Sequence, residues 1–187
     1  MNLVRGFCLL SLFCSFSCTF LDQNSSASNV APYFDLSGYI NNYIKDSSTQ
    51  AITKTIQIEG TTETKEIPSY PLWKDVHAFD AYDINRPALY DKYSIDTVQT
   101  NPGSFSVIYQ PKDSTSDLKV NLLQINYDQD QLQSIQIETS TKSFLEKVSL
   151  RINWTPSQGY TIDRITDKIF NSSIGHQKID VRLTSGS

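Results

Sequence analysis

Beyond residue 18 the sequence has no cysteine; Cys8, Cys14 and Cys18 are the only three in 187 residues. Disulfides, thiolate metal sites and thiol nucleophiles are therefore excluded from nearly all of the chain. Histidines are scarce too, with only His77 and His176. The 16 Lys and Arg are outnumbered by 20 Asp and Glu and are spread without a basic stripe, so a nucleic-acid partner is not expected. No apolar run is long enough to cross a bilayer. The longest, Gly6 to Phe16, is about 11 residues, where a spanning helix needs roughly 20.

That short run is itself a signal. It follows a single basic residue, Arg5, and ends in "SFSC", the pattern of a secretory signal peptide over residues 1–17. Ser15 and Ser17 stand at −3 and −1 from Cys18, where signal peptidases accept only small side chains. Cleavage after Ser17, or later near Ser26 to Ser28, would release a plain chain. Alternatively, Cys18 is a lipobox cysteine, acylated through its sulfur and left as the new N-terminus. The lipobox is loose, with Ser where Leu is usual. However, it accounts for the third thiol: Cys8 and Cys14 leave with the leader, and lipidation consumes the one that remains. Two acyl chains give stable anchoring where one gives marginal binding.

Residues 18–31 then read as a lipidated cysteine and a flexible linker, "TFLDQNSSASNVA", whose 13 or so residues reach on the order of 45 Å when extended. Losing Arg5 with the leader takes the formal charge from −4 to −5. The remaining body, 32–187, is the length of one ordinary domain and long enough to bury about 70% of its unfolded surface.

The body starts with a helical period: Leu36, Tyr39, Ile40, Tyr43 and Ile44 fall on one side. Asp35 or Ser37 can cap its start, and Asp46 to Ser48 end it. Alternating Ile52, Ile56 and Ile58 predict a strand that turns at "EGTTE" into a more polar partner ending at Pro68. A second helical period, Leu72, Val76, Phe79 and Tyr82 or Asp83, begins after Pro71 and is broken by "NRP". From Ser94 onward strand follows strand. "NPG" has the residues of a type II turn, and a phase slip between Leu122 and Leu123 predicts either a bulge or a strand buried on both faces. "DQDQ" reads as a four-residue hairpin loop. In "EKVSLRINW", Val148, Leu150, Ile152 and Trp154 face in while Lys147, Ser149, Arg151 and Asn153 face out. One-sided alternation with short loops means antiparallel pairing. The fold class is α+β: a twisted antiparallel meander of about seven to nine strands, covered by two or three short helices from the N-terminal half.

Candidate chemistry is thin. His77 with Asp80 and Asp83 makes a conceivable metal face, but a solvated helix explains the same letters, and no metal or other cofactor is expected. His176 follows a glycine in an expected turn. Asp128 and Asp130 lack the glycine and bidentate glutamate of a calcium loop. No G-x-S-x-G elbow is present. Asp80, Asp83, Asp91 and Asp96 offer carboxylate pairs for hydrolysis, as any chain with 20 acidic residues does, and the protein is read as a non-enzyme. Asn24, Asn153 and Asn171 match glycosylation sequons by chance if the source is bacterial. The main composition shift is the aromatic run Tyr70, Trp73, Phe79, Tyr82, Tyr90 and Tyr93. Exposed, these rings would form a binding surface. Buried, they are the cover of the sheet, and that is the favoured reading.

The "FSC" end of the leader, "YFDLSGYI", "DINRPALYDKY" and "PSQGYTI" together resemble small uncharacterised lipoproteins of Bacteroidetes-type bacteria. The resemblance covers most of the mature chain. It implies an envelope location and brings no activity with it; with Cys18 carrying palmitate-type acyl chains, the expected place is the outer membrane, on either its periplasmic or its surface face. Three functions follow as expectations. The first is an envelope binding or structural module whose partners are the membrane, through the anchor, and an envelope protein. The second is a periplasmic carrier or sensor of an apolar ligand held between helices and curved sheet, which calls for an apolar cavity of roughly 300 Å³ or more. The third is a carboxylate-dependent hydrolase.

Overall fold

The computed structural model describes residues 31–115, 117–170 and 174–184. The expected leader, Cys18, the linker, Asn24 and Asn171 lie outside the described residues. From Ala31 onward the chain forms one compact unit.

The first helix, α1, spans Leu36–Asp46. Asp35 caps it by accepting a hydrogen bond from the Gly38 amide at 2.8 Å, satisfying one of the donors a helix start leaves free. A Cβ at position 38 would meet that carboxylate at 2.1 Å, so with any other residue the Asp35 side chain would have to turn aside. Leu36 and Ile40 are fully buried beneath the helix.

Nine strands follow: β1 (Gln50–Ile58), β2 (Thr61–Tyr70), β3 (Tyr93–Asn101), β4 (Ser104–Pro111), β5 (Val120–Asp128), β6 (Gln131–Lys142), β7 (Glu146–Thr155), β8 (Gly159–Lys168) and β9 (Ile174–Leu183). They form one antiparallel sheet in the order β2-β1-β9-β8-β7-β6-β5-β4-β3. β3 to β9 are the meander read from the alternation. The β1–β2 hairpin is added beyond β9, a placement that local pattern does not encode.

Because β2 and β3 are opposite edges, residues 71–92 must cross the whole sheet. They do so as α2 (Leu72–His77), a 3₁₀ turn at Ala78–Tyr82 and a second at Pro87–Leu89. The single helix expected here thus tightens after one and a half turns. Phe79 and Ile84 are buried by this crossover. Tyr33 fastens its far end. Its ring meets those of Tyr93 and Tyr109 edge-on at 5.7 and 5.8 Å, and its backbone is bracketed by both ends of the Asn85 amide at 3.1 and 2.7 Å.

The turns follow their residues. Gly103 has φ +84°, the left-handed geometry that Pro-Gly prepares. The β5–β6 connection is shorter than the four residues expected: Asp128 pairs with Gln131, and Gln129 and Asp130 take φ of +48° and +61°, a two-residue turn of the mirror type. The bulge expected between Leu122 and Leu123 lies one step earlier, between Val120 and Leu122. It lets Val120, Leu123 and Ile125 all point into the core. Gly159 has φ +122°, and a Cβ there would sit 2.0 Å from the Val181 carbonyl oxygen, so the β7–β8 turn closes only with glycine.

Candidate functional site

The inner face of the sheet carries one apolar row across seven strands. Cross-strand pairing joins Tyr109 to Leu123, Leu123 to Ile137, Ile137 to Ile152, Ile152 to Ile162, Ile162 to Ile179, and Ile179 to Ile56. The row changes character along its length. Tyr109, Leu123, Ile137 and Ile152 are buried, whereas Ile162, Ile179 and Ile56 are only half-buried. The helical layer covers the first part and stops short of the second.

The cover is built around Trp154, which is fully buried on β7. Tyr39 and Tyr43 from α1, with Phe79 from the crossover, pack edge-on against its ring at 5.6, 5.1 and 6.0 Å, the arrangement that aromatic quadrupoles favour. Phe79 also meets Tyr160 edge-on at 5.5 Å. Asp75 pins α2 to the sheet: the hydroxyls of Tyr70 on β2 and Tyr160 on β8 each donate to its Oδ2 at 2.7 Å. Burial, reinforced by the hydrogen bond to Asp75 and its charge, pushes the Tyr70 phenol up to about 12 and the Tyr160 phenol higher still. Burial also raises the Tyr93 phenol to about 12. Its hydroxyl donates to the Val120 carbonyl at 3.0 Å.

Where the cover ends, a hollow of about 230 Å³ lies between the 3₁₀ turn and the sheet. Ala78, Phe79 and Tyr82 form its wall, and Leu150, Ile152, Ile162 and Ile179 its floor. Arg164 and Gln177 close one side and also border a second hollow of about 250 Å³ that continues past Ile58 toward Ile174. The first is smaller than the roughly 300 Å³ expected of a ligand-enclosing site. It suits the end of a chain or a single ring, with the rest extending along the neighbouring hollow. A third depression, of about 580 Å³, involves the β7–β8 turn and the end of β9. It is lined largely by polar groups such as Asn153, Gln158 and Asp180, and its Arg182 is held by Asp180 at 3.2 and 3.1 Å.

The residues singled out from sequence divide between these regions. Phe79 and Tyr93 are buried, and Tyr70, Trp73, Tyr82 and Tyr90 are half-buried. Of the six, only Phe79 and Tyr82 reach the apolar hollow. Of the floor, Leu150 and Ile152 were legible as inward-facing; Ile162 and Ile179 were not singled out, and nothing local marks which side chains the helices leave uncovered. The carboxylates serve local structure. Asp80 accepts from Ser37, Asp83 accepts from the Asn85 amide at 3.1 Å, and Asp91 and Asp96 are exposed in a loop and on edge strand β3. His77 is exposed. His176 stands on β9 rather than in the expected turn, with its Nε2 2.8 Å from Asp163 Oδ1. Asn153 is exposed on β7. Among the described residues no group of three or more His, Cys, Asp or Glu is placed to hold a metal, and no helix is long and apolar enough to cross a membrane.

No protein-family model, curated protein or solved structure matches this chain.

Proposed function

We propose that the chain is an exported envelope lipoprotein, anchored through Cys18, whose domain is a binding module for an extended apolar group such as an acyl chain. The observation that carries the reading is the hollow at the edge of the helical cover, walled by Phe79 and Tyr82 and floored by Leu150, Ile152, Ile162 and Ile179. Burying such a floor is favourable at roughly 25 cal/mol per Å². A ligand supplies there the cover that the helices supply over the rest of the row. Arg164 and Gln177 at the side offer hydrogen-bond donors to a polar end, as small-molecule sites commonly combine an apolar lining with a few polar groups.

The test is titration with a fluorescent fatty acid. The parent should bind saturably at one site. Ala78→Phe, which fills the hollow from its exposed wall, and Ile162→Gln, which makes its floor polar, should each weaken binding at least tenfold while leaving the fold intact. Unchanged affinity in both variants would remove the ligand reading. The anchor is tested separately, by growth with labelled palmitate: label that persists after Cys18→Ser would remove it.

A further inference from the structure

Five of the most exposed large apolar side chains among the described residues gather at one end of the sheet. They are Phe144 (80% exposed), Leu145 (63%), Ile169 (48%), Phe170 (68%) and Ile174 (69%). They come from the adjoining ends of the β6–β7 and β8–β9 hairpins. The two ends are tied by a hydrogen bond from the Ile169 amide to the Leu145 carbonyl at 2.9 Å and by the Phe144 and Phe170 rings, 5.1 Å apart. A contiguous exposed apolar patch of this kind marks a contact surface.

We infer that these five side chains form a tip that inserts into the interfacial layer of a lipid bilayer. Two observations select a bilayer. Four amides beside the apolar side chains, those of Ser143, Leu145, Glu146 and Ile169, are already satisfied within the protein. Ser143 N donates to the Glu146 carbonyl at 2.8 Å, and the Leu145 and Glu146 amides donate to Ser143 Oγ at 3.2 and 3.1 Å. These four donors therefore need no water when the apolar side chains enter the acyl boundary, which lowers the main penalty against irregular backbone in lipid. Secondly, Lys142, Lys147 and Lys168 are exposed just behind the apolar side chains, against the two carboxylates Glu146 and Asp167. This is a local positive excess in a protein of net charge −4. Lysines so placed lay their stems along apolar surface and keep their ammonium groups at the level of anionic headgroups. The inference stands independently of the ligand reading. It does add a route, because the hollow past Ile58 is bordered by Ile174 and Lys168 and shares Arg164 and Gln177 with the apolar one.

The test places an indole at the tip of the full chain. Phe144→Trp is made together with Cys18→Ser, so that no acyl chain contributes, and mixed with phosphatidylglycerol–phosphatidylcholine vesicles whose acyl chains carry bromine. Subtracting the parent spectrum removes Trp73 and Trp154. The introduced indole should shift to the blue and be quenched. An Ile95→Trp control on edge strand β3, where Ile95 is 50% exposed, should remain unquenched. Replacing Lys142, Lys147 and Lys168 together by Glu should raise the lipid concentration needed at least tenfold. Absent or equal quenching at the two positions overturns the inference. So does a blue shift that appears without vesicles and grows with protein concentration, since the tip would then be pairing with a second copy.

Discussion

The two ends of the seven-strand apolar row obey the same sequence rule and meet different fates. At Leu123 and Ile137 the inward side chains are sealed by α1, α2 and the crossover, and Ile152 stands at the margin, buried yet lining the hollow. At Ile162, Ile179 and Ile56 the same alternation continues with no helix above it. The difference lies in the cover. The crossover must run from one sheet edge to the other, its Phe79 gathers with Tyr39 and Tyr43 of α1 on Trp154, and the cover reaches β8, β9 and β1 only at one end, where Tyr160, Val181 and Ile52 are buried. An apolar row half sealed and half open is how a sheet can be stable and still keep a surface for binding.

The contrast can be broken hardest at the sealed end. Trp154→Ala removes the ring that three aromatic side chains pack against and should cost about 3–5 kcal/mol of stability, read as a lower urea midpoint. A loss under about 1 kcal/mol would mean that the cover is loosely packed. Tyr160→Phe, which takes one of two phenol donors from Asp75, should cost about 2 kcal/mol, as for hydrogen bonds to charged groups.

Phenols held in the pin and beneath the crossover make stability fall in alkali. Tyr70 and Tyr93 have phenols raised to about 12 in the fold, from an ordinary value of 10.0. A group whose folded pKa is raised contributes fully below its unfolded value and loses that contribution as pH climbs through the folded one. Stability should therefore hold up to about pH 10 and decline from there to about pH 12, with a shallower decline in Tyr70→Phe. An unchanged slope would disconnect the phenol from folding. At the open end, Ile179→Ala should have the smallest effect, about 1 kcal/mol, because a half-buried side chain leaves little cavity behind. A loss as large as that of Trp154→Ala would show that this end is sealed in solution.

Much of this was legible in the residues. The α1 face and its Asp35 cap, the meander, the Pro-Gly turn and the inward set of β7 all follow from periodicity and turn chemistry. What was not legible depended on distant parts of the chain. Nothing in Ile52, Ile56 and Ile58 says that their strand pairs with β9, and nothing in "VHAFDAY" says that a helix must tighten to 3₁₀ to keep Phe79 over Trp154. The hollow lay beyond sequence for the same reason: Ile137 and Ile162 look alike in their own strands, and only the path of the crossover distinguishes them. The hairpin-end residues Phe144 and Phe170 carry no local mark that brings their two turns together.

Methyl-resolved NMR of the isoleucines during titration with decanoate addresses the open corner most directly, because every member of the row except Tyr109 and Leu123 reports for itself. Saturable shifts should appear at Ile152, Ile162 and Ile179, with Ile135 and Ile137 unmoved beneath the helices. Motionless signals at Ile162 and Ile179, or shifts of equal size along the whole row, would contradict a binding surface at the edge of the cover.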